Sequence, residues 1–518
     1  MPAPSSDDAL DHVVVVMFEN RSFDNLLGRL YEPGEVASFE GVLGKDLSNP
    51  IPEWAEHGAD RGSVPYTVAT SMNTPNPDPG EEYTHVNTQL FGIVDPAANR
   101  GVVSEKMAAP YNAPADPTQR PTMDGFVADY ISTFISGMHR QPTYDEYAQI
   151  MTGYTPEQMP VLSALARGFA TFDHWFCEVP SQTFTNRSFF HAGSSSGFVV
   201  NMDPSDAFPV HNTAETIFER LEANGLTWRV YCDPSAVVPF TGLIHAPSLG
   251  NRFENFFSTD QFVEDAAKGD LPTYSFIEPN LMQGHNDMHP AYDVNYPGMD
   301  FDPPSSLLGG EAFLATIYDA IRTSSSDHGS NVFNTLLVIT FDEHGGTYDH
   351  VPPPLAPPPG PSAVAGQLGF TFERSGVRLP TIAISPWIDE RTVVSDTFRA
   401  TSVLATLRER WSLGQPFSAR EAIAPTLRAV LSRDTPRPPE TWPDVDPRPV
   451  PAFDADLVPL DQPLGVLAKA FFFGFLAFGK NHGQTVPDFT PDNPPNGAEA
   501  LAIMRDLFAH LYPNLGIR

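Results

Sequence analysis

Four consecutive valines, Val13 to Val16, place the tightest constraint on the fold. An unbroken β-branched run leaves no polar face for water, so it suits a strand covered on both sides, as in the interior of a parallel sheet. The run stops abruptly at Glu19-Asn20-Arg21-Ser22. A carboxylate and an amide at the carboxyl end of a buried strand stand where open α/β sheets place their ligand crevice. Together they offer hard oxygen ligands to a cation. The same residues also read as a helix start, with Asn20 and Ser22 capping a turn through Phe23, Leu26 and Leu27.

The alternation of helix and apolar strand recurs along the chain. Thr155 and Gln158 resemble a capping box ahead of Val161, Leu162, Leu165 and Phe169, which follow at helical spacing. A helix over Ala214–Ala223 ends at Gly225 and feeds a strand over Thr227–Tyr231. From Gly310, a helix carrying Phe313, Leu314, Ile317, Ala320 and Ile321 leads to the strand Thr335–Phe341 and then Asp342-Glu343-His344-Gly345-Gly346. A further strand is expected over Val377–Ser385 and a helix near Ser402–Trp411. This pattern predicts an α/β fold, a mostly parallel sheet with helices on both faces. Residues 32–121 are rich in Pro, Gly, Asn and Asp and read as a loop-rich insertion packed over the sheet. The organisation expected is a catalytic domain over 1–415, followed over 416–518 by a Pro-rich arm (434–459) and a C-terminal helical region. Within that region Leu464–Phe478 is strongly apolar. A helix docked on the body is the commoner meaning of such a segment; a lipid-facing surface is the sharper one.

Composition narrows the function. With 64 acidic against 30 basic residues the formal charge is −34, so nucleic-acid phosphate would repel the chain and nucleic-acid binding is excluded as a function class. A hydrophobic content of 41% in 518 residues suffices for a large core. The 54 prolines therefore imply long ordered loops. Cys177 and Cys232 are the only cysteines, free or paired, with no C-x-x-C spacing for zinc or redox work. The first residues lack the basic and apolar regions of a signal peptide, so the chain reads as cytoplasmic as written, or secreted if it is a mature form. No apolar run reaches transmembrane length.

Three more clusters carry chemistry. Asp342 and Glu343 follow a buried strand as Glu19 and Asn20 do, and adjacent acids are costly to hold together without a cation. Four oxygen ligands on two strand ends suit Mg, Mn or Ca; the plainer meaning is a loop turned by Gly345 and Gly346. Glu178 to Ser188 offers hydroxyls at Ser181, Thr183, Thr185 and Ser188, with Asn186 and Arg187 able to hold an anion. It also reads simply as a polar turn opening a helix through Phe189 and Phe190. His285, Asp287 and His289 lie within five residues and could face a phosphate or a leaving group.

At this point six motifs, in order over His12–Leu413, resemble a known family: HVVVVMFENRSFDNLLG, VPSQTFTNRSFFHAG, YSFIEP, NDMHP, VITFDEHGGTYDHVPPP and GVRLPTIAISPWI. It is the phosphoesterase family that unites bacterial phospholipases C, plant non-specific phospholipases C and a respiratory-burst-inhibiting acid phosphatase. The resemblance implies an alkaline-phosphatase-like α/β fold with long loop insertions and a C-terminal appendage. It implies a divalent metal (Ca, Mg, Mn or Zn, the oxygen ligands favouring the first three) held by Glu19, Asn20, Asp342, Glu343 and the nucleophile Thr183. Thr183 would attack phosphorus in line and form a phosphothreonine. His289, Asp287 and Asn186 would complete the catalytic set.

The chain departs from the family at several positions. Asp-Pro-Gly-His becomes Asp78-Pro79-Gly80-Glu81, the acid pair before His289 becomes Asp287-Met288, a later histidine becomes Tyr292, and Arg399 replaces another. Glu81 and Glu82, with Asp78, could bind additional cations in place of the lost positive charge; His285 and Arg399 complete this candidate extra metal or phosphate group. The expected partner is a phospholipid or other phosphate ester, with transient membrane-surface contact through the aromatics Trp175, Phe189, Phe190 and Phe471–Phe478. An acid phosphatase acting on monoesters, or a non-catalytic cation-binding protein, are the alternatives.

Overall fold

A computed structural model of the chain describes residues 5–201, 207–235, 239–281, 284–291, 306–360, 365–452, 466–490 and 493–515. Eight strands form the central sheet: β1 (His12–Phe18), β2 (Ala170–Phe172), β3 (Trp228–Cys232), β4 (Phe256–Ser258), β5 (Tyr274–Glu278), β6 (Thr335–Phe341), β7 (Thr381–Ile384) and β8 (Thr392–Val394). Their spatial order is β8-β2-β7-β6-β1-β5-β3-β4. All pairings are parallel except those of β7, which is antiparallel to both β6 and β2. The valine run sits in the middle, and Val13 to Val16 are fully buried between β5 and β6. A mostly parallel α/β sheet is therefore the architecture, as the sequence predicts.

The helices that matter for the site are α1 (Tyr83–Phe91), α2 (Phe126–Met138), α3 (Pro160–Gly168), α4 (Thr183–Ala192), α5 (Ser306–Arg322), α6 (Thr401–Trp411), α7 (Val466–Asn481) and α8 (Gly497–Leu511). Helix α3 starts later than the Thr155 box suggests. Gln158 Oε1 does accept the Thr155 N–H, but this closes only a preceding turn. Pro160 opens the helix, and the carboxylate of Glu311 on α5 accepts the free N–H groups of Val161 and Leu162 at 2.9 and 2.7 Å. The strand expected over Val377–Ser385 shortens to β7, because Pro380 has no N–H to give and Arg378 is drawn away to ion pairs with Asp24 and Asp349.

Two surface assignments change. Trp175, Phe189 and Phe190 are at most 1% exposed and belong to the interior, so they provide no lipid-facing patch. In α7, Phe472, Phe475 and Phe478 are buried too; Phe475 and Phe478 pack on Phe508 of α8, and Phe478 also meets Phe253. The docked-helix meaning thus holds for these residues, while 464–465 and the Phe471 side chain lie outside the described part. The arm wraps the body where it is described: Trp442 packs edge-on to Phe169 at 4.9 Å. Residues 453–459 are outside it. Cys177 and Cys232 are buried and unpaired. Among the described residues no helix is long and apolar enough to cross a membrane.

Candidate active site

The site is built first by register. In the parallel pair β1–β6, Phe18 stands opposite Phe341, so the residues that follow, Glu19 and Asp342, leave the sheet side by side. Ser22 does cap the helix at Phe23–Leu26, accepting the Asn25 N–H at 3.2 Å. Asn20 has a different task. Its φ of 59° lies in the left-handed region that Asn tolerates, and this turns its N–H onto Asp342 Oδ1 at 3.1 Å. The Glu343 N–H donates to the same oxygen at 2.7 Å. The two glycines that follow are required by close approach. A Cβ on Gly345 would stand 2.1 Å from the Asn20 carbonyl oxygen, and one on Gly346 would stand 2.5 Å from that of Gly80. Three loops therefore meet here: that after β1, that after β6, and Asp78–Glu82 ahead of α1.

Helix α4 supplies the hydroxyl. Thr183 opens it, and Thr183 Oγ1 donates to Glu19 Oε2 at 3.3 Å. One turn on, Arg187 Nη2 pairs with Glu19 Oε1 and Arg187 Nε with Asp342 Oδ2 at 3.4 Å. Arg187 was expected to hold an anion with Asn186; instead its charge is spent on protein carboxylates. Its i+4 spacing from Thr183 was the available signal, since it puts both on one helix face. Asn186 also leaves the catalytic set. Its Oδ1 accepts the Val179 N–H at 2.9 Å, and its Nδ2 donates to the carbonyls of Val179, Ser181 and Gln182 at 3.1, 2.7 and 3.1 Å. All its hydrogen-bonding capacity goes to the loop that delivers Thr183.

The third group lies against Asn20, whose Nδ2 bonds both Glu81 Oε2 and His289 Nε2, the latter at 2.9 Å. One ligand atom each from Asp78, Glu81 and His289 fall within 4.8 Å of one another. His289 Nδ1 donates to the Pro290 carbonyl at 2.7 Å, which puts the lone pair on Nε2. Asp287 organises this loop: its Oδ1 accepts from the His289 N–H, His285 Nδ1 and Ser306 Oγ at 3.0, 2.9 and 2.7 Å. Its carbonyl accepts the Glu19 N–H at 2.8 Å. The remaining candidates stand apart. Glu82 is 27% exposed and turns towards His85. His285 meets Asp287, its Nδ1 lying 2.9 Å from Oδ1. Arg399 makes no hydrogen bond or ion pair to these carboxylates among the described residues. Tyr292 lies outside them. A chain the sequence did not reveal supports the third loop: His85 Nδ1–Asp129 Oδ1 (2.8 Å), Gln89 Nε2 to Asp129 Oδ2 (2.8 Å) and to the Gly80 carbonyl (2.6 Å), and Gln89 Oε1 to His344 Nε2 (2.8 Å).

Electrostatics set the problem this arrangement has to solve. Burial pushes the carboxyls of Glu19, Glu343, Glu81 and Asp78 well above the usual range, and neighbouring acids push them further: Asp342 for Glu19 and Glu343, Glu343 for Glu81, and Glu81 for Asp78. Asn20 Oδ1, Glu343 Oε1 and Asp287 Oδ2 are buried without a hydrogen-bond partner. Each such atom costs roughly 1–3 kcal/mol. Arg187 is shared by Glu19, Asp342 and Glu278, the last at 3.8 Å, so four carboxylates including Glu343 stand against one guanidinium and leave an excess of negative charge that a divalent cation would reduce. The residues present thus fit a hard cation at Glu19, Asn20, Asp342 and Glu343. A separate acid–histidine group, Asp24, Asp349 and His350, differs in having its own cation: Arg378 pairs with Asp24 at 2.8 Å and with Asp349 at 2.9 Å.

Residues 10–414 match the model of the Phosphoesterase family. The chain belongs to that family. Among curated relatives of this phosphoesterase, non-specific phospholipase C6 of Arabidopsis thaliana is 32% identical over 456 residues, covering 84% of this chain and 75% of the relative. Non-specific phospholipase C1 of the same plant is 31% identical over 451 residues, covering 84% and 73%. Phospholipase C B of Mycobacterium tuberculosis (strain ATCC 25618 / H37Rv) is 25% identical over 467 residues, covering 80% and 76%. Among solved structures, a protein in the alkaline phosphatase superfamily from Vibrio parahaemolyticus aligns at TM-score 0.30 and 14% identity, covering 53% of this chain and 64% of that one, a likeness too slight to build on.

Proposed function

We propose that this phosphoesterase is a metal-dependent phospholipase C that cleaves a glycerophospholipid into diacylglycerol and a phosphorylated head group. The observation that carries this reading is the Thr183 hydroxyl, seated at the start of α4 and bonded to Glu19 within the carboxylate–amide cradle. A divalent cation bound there would lower the hydroxyl's pKa and screen the charge that develops on phosphate. Glu19, Asn20, Asp342 and Glu343 are its ligands in this reading. Arg187 fixes Glu19 and Asp342, and the N-terminal end of α4 adds a dipole favourable to an anion. Thr183 Oγ1 loses its proton to solvent and bonds to phosphorus as the P–O bond to glycerol breaks, and the departing glycerol oxygen takes up a proton from solvent. Water then breaks the Oγ1–P bond and releases the phosphorylated head group. His289 is held neutral, its pKa pulled down to about 4 by burial, so it acts as a lone-pair donor at neutral pH and not as a general acid.

A lipid is favoured over a small monoester by the relatives at 25–32% identity, which are named phospholipases C. The net charge of −34 disfavours anionic bilayers, so the substrate class expected is zwitterionic lipid. The test is release of phosphocholine from phosphatidylcholine, compared with phosphate release from monoesters, with and without chelator. Chelator-sensitive phosphocholine release supports the reading. Turnover of monoesters alone makes the protein a phosphatase, and turnover indifferent to chelator removes the metal.

A further inference from the structure

We infer that Asp78, Glu81 and His289 form a second cation site, adjoining the cradle at Glu19, Asn20, Asp342 and Glu343 and bound by a different donor set. His289 Nδ1 stands 3.8 Å from Asp78 Oδ1, and His289 Nε2 4.0 Å from Glu81 Oε2. The Nε2–Glu81 distance suits a shared ion and is too long for a direct hydrogen bond, whereas Nδ1 is turned onto the Pro290 carbonyl; one ligand atom each from Asp78, Glu81 and His289 lie within 4.8 Å of one another. The imidazole is prepared for ligation. Its Nδ1–H is committed to the Pro290 carbonyl, and Asp287 grips the same residue's N–H at 3.0 Å, so the tautomer and ring position are fixed from behind.

A cluster of acids alone would not establish a site; two fully buried side chains of the cradle, Glu343 and Asn20, border this group and each leave an oxygen without a hydrogen-bond partner. Glu343 is 0% exposed, its Oε1 has no hydrogen-bond partner, and its carboxylate comes within hydrogen-bonding reach of Glu81. Asn20 is also 0% exposed; its amide touches both Glu81 and His289 through Nδ2, and its Oδ1 has no partner. Asp78 Oδ1 is buried and unpartnered as well. Charge leads to the same place. Arg187 already serves Glu278 as well as Glu19 and Asp342, so one divalent ion at the cradle leaves no positive charge to spare for the two further carboxylates of Asp78 and Glu81. Against the larger effect of burial, Arg21 lowers the Asp78 carboxyl by its charge, but it gives its hydrogen bonds to the Met288 and Thr74 carbonyls and to Asn25. Glu82 is excluded from the set by its turn towards His85.

Two carboxylates and an imidazole suit Mn or Zn better than Ca, which prefers oxygen alone. Resting on the proposed phosphoric-ester hydrolysis, the second ion would make the centre a two-metal clamp, one ion at the attacking oxygen and one at the phosphate. The experiment uses the full-length chain, stripped by chelator and titrated with Mn²⁺. Ions per chain are counted by native mass spectrometry, and spin coupling is read by electron paramagnetic resonance. Wild type is expected to take two ions with a coupled signal, and Glu81→Gln and Asp78→Asn one each with an uncoupled signal. A wild type that saturates at one ion, or a Glu81→Gln chain that keeps two coupled ions, overturns the inference. Because wild-type stoichiometry alone decides, a variant that fails to fold does not rescue it. Two coupled ions without hydrolysis of any phosphate ester would uphold the second site while rejecting the functional reading. Hydrolysis by a one-ion enzyme would do the reverse.

Discussion

Replacing Asn186 by Asp separates a loop clamp from a catalytic group with one atom of change. In the wild type one acceptor and two donor hydrogens on that side chain satisfy four backbone groups of Val179, Ser181 and Gln182, all inside the protein. Aspartate keeps the bond from the Val179 N–H but turns an oxygen onto three carbonyl oxygens. Net hydrogen bonds are worth roughly 1 kcal/mol each, and a buried group left unpaired costs about 1–3 kcal/mol. The loss of two donor hydrogens shared among three carbonyls, plus the repulsion, gives a destabilisation of about 3–5 kcal/mol, at the upper end for single substitutions. Urea unfolding should show a lower midpoint at an unchanged slope. Since the loosened loop carries Thr183, kcat should also fall, by on the order of a hundredfold for a displacement of about 1 Å. A variant as stable as wild type with abolished turnover would refute this account and return Asn186 to the chemistry. A variant unchanged in both would show that the clamp holds nothing.

Two further outcomes follow from buried groups. His245 and His191 are both buried, their ring nitrogens lack partners, and burial pulls the first down to about 3 and the second well below its usual value. The unfolded chain then binds more protons below pH 6.5, so stability falls as pH drops from about 6.5 towards 3, by about 1.4 kcal/mol per unit for each histidine. His245→Asn should flatten that acid limb in a pH series of unfolding midpoints, and an unaltered limb would contradict it. At the Asp24–Asp349–His350 group, Arg378 already supplies the positive charge. Asp349→Asn should therefore leave metal content by elemental analysis unchanged, whereas loss of an ion there would show that the arginine is not the resident cation.

What the sequence disclosed follows from which residues carry a period or a motif. β1 contains the expected Val13–Val16 run and extends it to His12–Phe18, and β6 coincides with the expected Thr335–Phe341, because a strand buried on both faces announces itself as an unbroken apolar run. Helix α1 was hidden inside the loop-rich stretch for the opposite reason. All nine of its residues are buried, including Thr84, His85, Asn87 and Gln89, so no apolar stripe marks it; its polar side chains are satisfied by the network behind Gly80. Glycine could be read as a turn at Gly345 and Gly346, yet only the approach of Asn20 and Gly80 shows that any side chain there would push the three loops apart. The aromatics Trp175, Phe189 and Phe190 misled because composition cannot tell an interior ring from a surface one. Asn186 and Arg187 were legible as polar groups beside Thr183, but their direction depends on the turn of α4, which one-dimensional spacing does not contain.

The central claim is that Thr183 Oγ1 takes the phosphate. Wild-type protein is mixed with phosphatidylcholine and metal, quenched in acid within the first turnover, and its peptides are mapped by mass spectrometry. The account predicts a phosphocholine adduct on Thr183, absent after chelation and in Thr183→Ala, which should also have lost turnover. Turnover that persists in Thr183→Ala, or an adduct on another residue, would contradict it.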